Sequence, residues 1–280
     1  MYKKVYVEIT NICNMNCSFC HGHKRPPRQM SMAEFSLILD KLTGQTSYLY
    51  YHLMGEPLTH PLLCEFVKLA GTRGYKSIIT TNGTLLDRWG DELLEAGLHK
   101  VNLSVHSFEN GSKEDHRRYL RKLANFAQKA AALGTIVVFR LWNRDCDDGK
   151  NEITLQYLKE YLPQTWETHA RGVKLQDRVF LEWGERFAWP DCEAPIQGTA
   201  FSCYGLKDQF GILSDGTVVP CCLDSDAGIR LGNIFTQNLT DILQSKRATA
   251  MVEGFRCKKA TEELCKRCGY AQQFIKGKET

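Results

Sequence analysis

Nothing in this chain of 280 residues reads as a membrane span, since no run approaches 18 consecutive apolar residues. The first stretch, MYKKVYVEIT, lacks the apolar core of an export signal. Internal repeats, low-complexity segments and long linkers are missing too. Charge of one sign is scarce: 36 basic against 32 acidic side chains leave +4, which does not by itself indicate nucleic acid. These absences exclude a spanning protein and make the cytoplasm the expected location.

Cysteine, by contrast, is abundant. Twelve thiols without an export signal point away from disulfides, because a reducing compartment does not sustain them. Their clustering suggests metal ligands. Cys13, Cys17 and Cys20 form one group, and Cys203, Cys221, Cys222, Cys257, Cys265 and Cys268 form another near the end. Cys64, Cys146 and Cys192 stand alone and read as packing or surface thiols.

Strand-like and helix-like segments alternate about six times up to residue 185. KKVYVEIT alternates and is β-branched, so a strand is expected there. Ser31 followed by Glu34 predicts a capped helix over 31–42. Further strands are expected over 47–54, 76–83, 100–107 and 135–143, with a sixth inside 172–183. Helices are expected over 60–74, 88–98, 113–134 and 151–162. This alternation implies a parallel sheet with right-handed crossovers. Functional residues then gather at the C-terminal strand ends. The cysteine loop, MGEP (54–57), TTNG (80–83), SVHS (104–107) and Arg140 with Asn143 all fall at such ends. The style changes near residue 190, and FGILSDGTVVPCC reads as a hairpin, followed by a helical stretch over 238–255. Two domains are expected, 1–190 and 191–280.

Three thiols at C-x3-C-x2-C are one fewer than a structural zinc takes. A 4Fe–4S cluster held by three cysteines keeps one iron open to an outside molecule, which makes three the number for a reactive cluster. On spacing alone, zinc with His21 or His23 as fourth ligand stays open.

CNMNCSFC, with an aromatic residue just before its last cysteine, resembles the signature of the radical S-adenosylmethionine (SAM) superfamily. MGEP is similar to that family's GGEP motif, with Met54 in place of the first glycine. The resemblance covers roughly residues 3–185. It implies an α/β fold, a partial (β/α)6 barrel. Cys203, Gly216 and Cys221, then Cys265 and Cys268, resemble the SPASM/twitch extension, here a small hairpin-plus-helix, cluster-binding unit.

The resemblance implies SAM and two 4Fe–4S clusters as cofactors. Cys13, Cys17 and Cys20 would hold the SAM cluster, and Cys203, Cys221, Cys265 and Cys268 one auxiliary cluster. Cys222 competes for a ligand place, and Cys257 is surplus. Reductive cleavage of SAM would give a 5′-deoxyadenosyl radical that abstracts hydrogen from a substrate carbon, enclosed against side reactions. Met54, Gly55, Glu56 and Pro57 would serve SAM, with Glu56 or nearby carbonyls accepting from its ammonium and Pro57 fixing the turn. Asn82 and Ser104 are candidates for its ribose or carboxylate, Arg140 for its carboxylate, and His106 for the same cavity. Phe19 is expected to pack around the cluster, and no residue is singled out as the catalytic acid or base.

An electron donor such as flavodoxin or ferredoxin is implied as partner. The substrate reads as a peptide or protein, or a small molecule, with RNA as an alternative. A chain starting at the first barrel strand lowers the expectation of a leader-binding domain. The basic run HGHKRPPRQM (21–30) is either a phosphate or acid site or a solvated loop. From another class, a non-catalytic iron–sulfur or zinc module would need only the tail cysteines.

Overall fold

The computed structural model describes residues 1–147, 149–169 and 172–275. Strand β1 (Lys4–Val7) leads to helix α1 (Met32–Lys41) and β2 (Tyr48–Tyr51). Ser31 and Glu34 close a reciprocal capping box on α1, as their spacing predicts. Next come α2 (Leu63–Thr72), β3 (Lys76–Thr81), α3 (Leu86–Glu95), β4 (Lys100–Ser104), α4 (Lys113–Ala132), β5 (Ile136–Leu141) and α5 (Lys150–Tyr161). Strands β6 (Glu167–His169), β7 (Gly172–Gln176) and β8 (Val179–Trp183) follow. The chain closes with β9 (Gln209–Ile212), β10 (Thr217–Val219), β11 (Gly232–Asn233), α6 (Leu239–Leu243), α7 (Lys246–Arg256), α8 (Glu263–Lys266) and α9 (Gln272–Ile275).

The chain forms two compact units. One contains Met1–Ile12, His21–Gly55 and the segment from Phe187 on; the other contains Cys13–Cys20 and Glu56–Arg186. In the first, β1 pairs parallel with β2 on one side and with β9 on the other. The predicted hairpin is β9–β10, antiparallel, with β11 added outside. In the second, β3, β4, β5 and β8 are parallel neighbours. The stretch expected to hold a sixth strand holds two: β8 continues the parallel set, and β7 and β6 fold back antiparallel beside it.

Side chains alternate across these strands. Val101 and Leu103 of β4, and Val137, Phe139 and Leu141 of β5, are fully buried. The opposite face carries Asn102, Ser104 and Arg140. Helix α4 buries Tyr119, Leu120, Leu123, Ala124 and Ala127, its apolar stripe. Each such leucine contributes about 1.5–3 kcal/mol. The apolar face therefore fixes the second unit, and its polar strand ends are left for chemistry. No helix among the described residues is long and apolar enough to cross a membrane.

Candidate active site

In the first unit, Glu8 lies one residue past β1 and is completely buried. Its carboxylate takes a two-pronged bond from Arg25, at 2.8 and 2.6 Å. Met54 N–H (3.2 Å), Ser214 N–H (3.1 Å) and Ser214 Oγ (3.0 Å) also donate to it. A buried carboxylate is tolerated only when paired and bonded in this way. Two arginines of the basic run are paired within the chain, Arg25 with Glu8 and Arg28 with Glu34 at 2.5 Å, while His21 and Lys24 are exposed. His23 Nε2 meets Asn11 O at 2.9 Å while its buried Nδ1 has no bonding partner among the described residues, and the His21 ring stacks on Trp189.

The MGEP turn explains its departure from GGEP. Met54 is buried and donates its N–H to Glu8, with no need of glycine there. Gly55 has φ +76°, and a Cβ there would stand 2.5 Å from Thr10 O. Glycine is required at the second position only.

In the second unit, Glu56 is buried and caps the short turn that Pro57 begins. Leu58 N–H (3.0 Å) and Asn82 N–H (2.7 Å) donate to its two oxygens. Burial pushes the Glu56 carboxyl up to about 7, against these hydrogen bonds, which pull it down. Asn82 bonds the cysteine loop through Nδ2 to Asn14 Oδ1 at 3.0 Å, and its carbonyl accepts from Tyr119 Oη at 2.6 Å.

The cysteine loop rests on the turn that follows β4. Cys17 Sγ lies 3.8 Å from Ser107 O, and Ser18 N–H donates to Glu109 at 2.6 Å. The Ser18 hydroxyl bonds the same carboxylate. Phe19 packs on His106 at 4.8 Å and under the Arg186 guanidinium at 5.4 Å. A cavity of about 350 Å³ lies beside the loop, bounded by Asn14, Cys17, Thr84, Ser107 and Glu109 with their neighbours. His106 is expected on a strand but sits in a helical turn, Val105–Ser107, because β4 stops at Ser104. Its Nδ1 is 3.0 Å from Arg140 O, and burial lowers its pKa. Ser104, Arg140 and Glu182 are cross-strand neighbours, and Arg140 also lies 5.0 Å over the Trp142 ring.

All twelve cysteines are free. Burial pushes the Cys17 thiol up to about 12, with Glu109, Cys13 and Cys20 adding to the rise. In the tail, burial pushes Cys221 and Cys265 well up, and the nearby Cys203 adds to both. Cys268 is raised to about 11 by burial, with Cys203 again contributing. The four expected auxiliary thiols thus lie in one another's field. Among the described residues, no three cysteine, histidine or acidic side chains converge as a single-ion site. Thiols are the donors that iron–sulfur clusters take, and the loop and the tail are where such sets would be held. Sequence reasoning missed Glu8 and Glu109. Glu8 leaves a signal, a lone acid in the apolar stretch VYVEI; Glu109 leaves none.

Two family matches span the two groups of thiols. The radical SAM superfamily matches residues 7–146, and the SPASM iron–sulfur cluster-binding domain matches 203–269. The GTP 3′,8-cyclase of Chlorobaculum tepidum is 38% identical over 109 residues, 38% of this chain and 33% of its own length. The tungsten-containing aldehyde ferredoxin oxidoreductase cofactor-modifying protein of Pyrococcus furiosus is 33% identical over 109 residues, 37% of this chain and 30% of its own. The chain spans about a third of the length of these curated relatives. BtrN in complex with AdoMet and 2-DOIA superposes with TM-score 0.63 at 19% identity, over 96% of this chain and 93% of that one. The anSMEcpe structure with bound AdoMet gives 0.64 at 16%, over 95% and 89%. Streptococcus suis SuiB bound to precursor peptide SuiA gives 0.63 at 15%, over 96% and 70%. At such identities these structures show a shared fold, α/β with an open sheet and a C-terminal extension.

Proposed function

Since the chain belongs to the radical SAM superfamily, we propose that it abstracts hydrogen from a substrate carbon, the substrate being a peptide or protein, or a small molecule. It is an enzyme whose cofactors are SAM, a SAM-binding 4Fe–4S cluster and an auxiliary cluster in the SPASM region. When bound, these groups supply a 5′-deoxyadenosyl radical. Cys13, Cys17 and Cys20 would hold the first cluster, and Cys203, Cys221, Cys265 and Cys268 the second. One observation carries the reading: the three-thiol loop is bonded to the ends of β3 and β4 through Asn14, Cys17 and Ser18. Ligand sites gather at the C-terminal ends of parallel strands, so a three-cysteine loop held there suits a cluster with one open iron.

The chain's own residues bind and orient. Glu56 fixes the turn at the end of MGEP by accepting two backbone N–H groups, which leaves carbonyls of Met54 or Gly55, or its own spare lone pairs, to accept from SAM's ammonium. Ser104 and Arg140, side by side on β4 and β5, suit the SAM carboxylate or ribose. Asn82 ties that site to the loop, and Phe19 with His106 packs the loop's far side. Such enzymes need an electron donor; flavodoxin or ferredoxin would fit, in the cytoplasm, where free thiols persist. BtrN and SuiB, a small-molecule complex and a peptide complex by their names, leave both substrate classes in play.

The test is anaerobic reconstitution with iron and sulfide, followed by 5′-deoxyadenosine release from SAM plus reductant. The expected result is release that vanishes in Cys17→Ala. Zinc in place of iron, or no release from fully reconstituted protein, would overturn the reading.

A further inference from the structure

We propose that Glu109 positions the cysteine loop and, with Arg186 as its counter-charge, sets the reduction potential of the cluster that the loop holds. The inference deepens the reading above and rests on it. Glu109 receives both the N–H (2.6 Å) and the hydroxyl of Ser18. Ser18 lies directly after Cys17 and two residues before Cys20, so this carboxylate grips the loop between two ligand positions. Its side chain is only 21% exposed, which weakens solvent screening of its charge. The grip is itself braced, because Lys150 Nζ donates to the Glu109 carbonyl at 2.8 Å.

Arg186 stands on the opposite side of the balance. Its guanidinium is 4.0 Å from Glu109 Oε1 and 5.4 Å from the Phe19 ring centre, and the Arg186 backbone N–H donates to Asp145 at 2.9 Å. One anion and one cation therefore flank the same four-residue stretch, Cys17–Cys20. Reduction adds one electron from a one-electron donor, with no bond made or broken. A fixed negative charge beside the cluster opposes that electron, and a positive charge favours it. The two residues should act with opposite sign, which a purely structural role cannot reproduce.

The experiment is a potentiometric titration of the anaerobically reconstituted enzyme with dithionite, following the electron paramagnetic resonance signal that changes when SAM is added. Glu109→Gln should raise the midpoint by about 59 mV, a tenfold change in a one-electron equilibrium. Arg186→Gln should lower it by a similar amount. Glu109→Asp, which keeps the charge and shortens the grip, should hold the wild-type midpoint while losing iron faster. Unmoved midpoints, or shifts of the same sign in the two glutamine variants, would overturn the proposal. If Glu109→Gln retains no iron, Arg186→Gln decides alone: a fall supports the proposal, and anything else overturns it. Wild-type protein with no SAM-sensitive cluster would instead sink the functional reading.

Discussion

Glu56 shows how much one buried carboxylate can weigh. Its carboxyl rises from 4.5 to about 7, because burial opposes ionisation more than the Asn82, Leu58 and Thr81 bonds favour it. The folded state therefore holds a proton that the unfolded chain has released. Stability from this group is fully present below pH 4.5 and is lost as pH rises through about 7. The loss is on the order of 3 kcal/mol. Denaturant midpoints taken from pH 5.5 to 8 should fall in the wild type and stay flatter in Glu56→Gln. Equal slopes in the two proteins would show that another group carries the effect. Glu8, equally buried, is met by Arg25 and three further donors, so the two acids share a depth but not a role.

At the level of elements, the sequence was most legible where the local signal was also the global one. The α1 capping box, the period-2 strands and the β9–β10 hairpin follow from short-range chemistry. The two strands within 172–183 look like one in the sequence, since Asp177 and Arg178, which turn the chain with φ +59° at Arg178, carry no glycine signal. His106 looks like a strand residue in the sequence because Val105 prolongs an apolar pattern beyond the strand's hydrogen bonds. The arginines of the 21–30 run looked solvated because their acids, Glu8 and Glu34, lie elsewhere in the sequence or on a helix. Such pairings are tertiary and leave no local trace. The MGEP turn makes the backbone argument testable. Gly44 and Gly55 share φ +76°, but a Cβ at Gly44 meets nothing within 4 Å, whereas at Gly55 it meets Thr10 O at 2.5 Å. Gly44→Ala should cost only conformational strain, about 1 kcal/mol. Gly55→Ala should cost roughly 2–4 kcal/mol, since backbone must also move. Chemical denaturation of both variants checks this, and equal losses would refute the close approach.

On the scale of the whole molecule, the chain carries two thiol sets of different completeness, and the tail holds two more thiols than four ligands require. Cys222 and Cys221 are adjacent, so spacing alone left the choice between them open. The surroundings separate them. Burial raises Cys222 first, and a bond with the Tyr6 hydroxyl draws it back down. Its side chain packs on a small apolar cluster of Tyr6, Leu53, Leu213 and Val219. Cys203 acts on both thiols, and Cys221 also lies in the field of Cys265, as Cys268 does in that of Cys222, so the contact with Tyr6 and the apolar cluster is what sets Cys222 apart. Cys257 is exposed at the end of α7, 3.8 Å from Glu253, and stands apart from these groups. A fully loaded protein should hold about eight irons, four per cluster. Cys221→Ser should lose about four of them, while Cys222→Ser and Cys257→Ser should keep the full complement. Iron and sulfide analysis after anaerobic reconstitution measures all three. Loss in Cys222→Ser with full loading in Cys221→Ser would move the ligand by one residue and turn the thiol beside Tyr6 into part of the cluster.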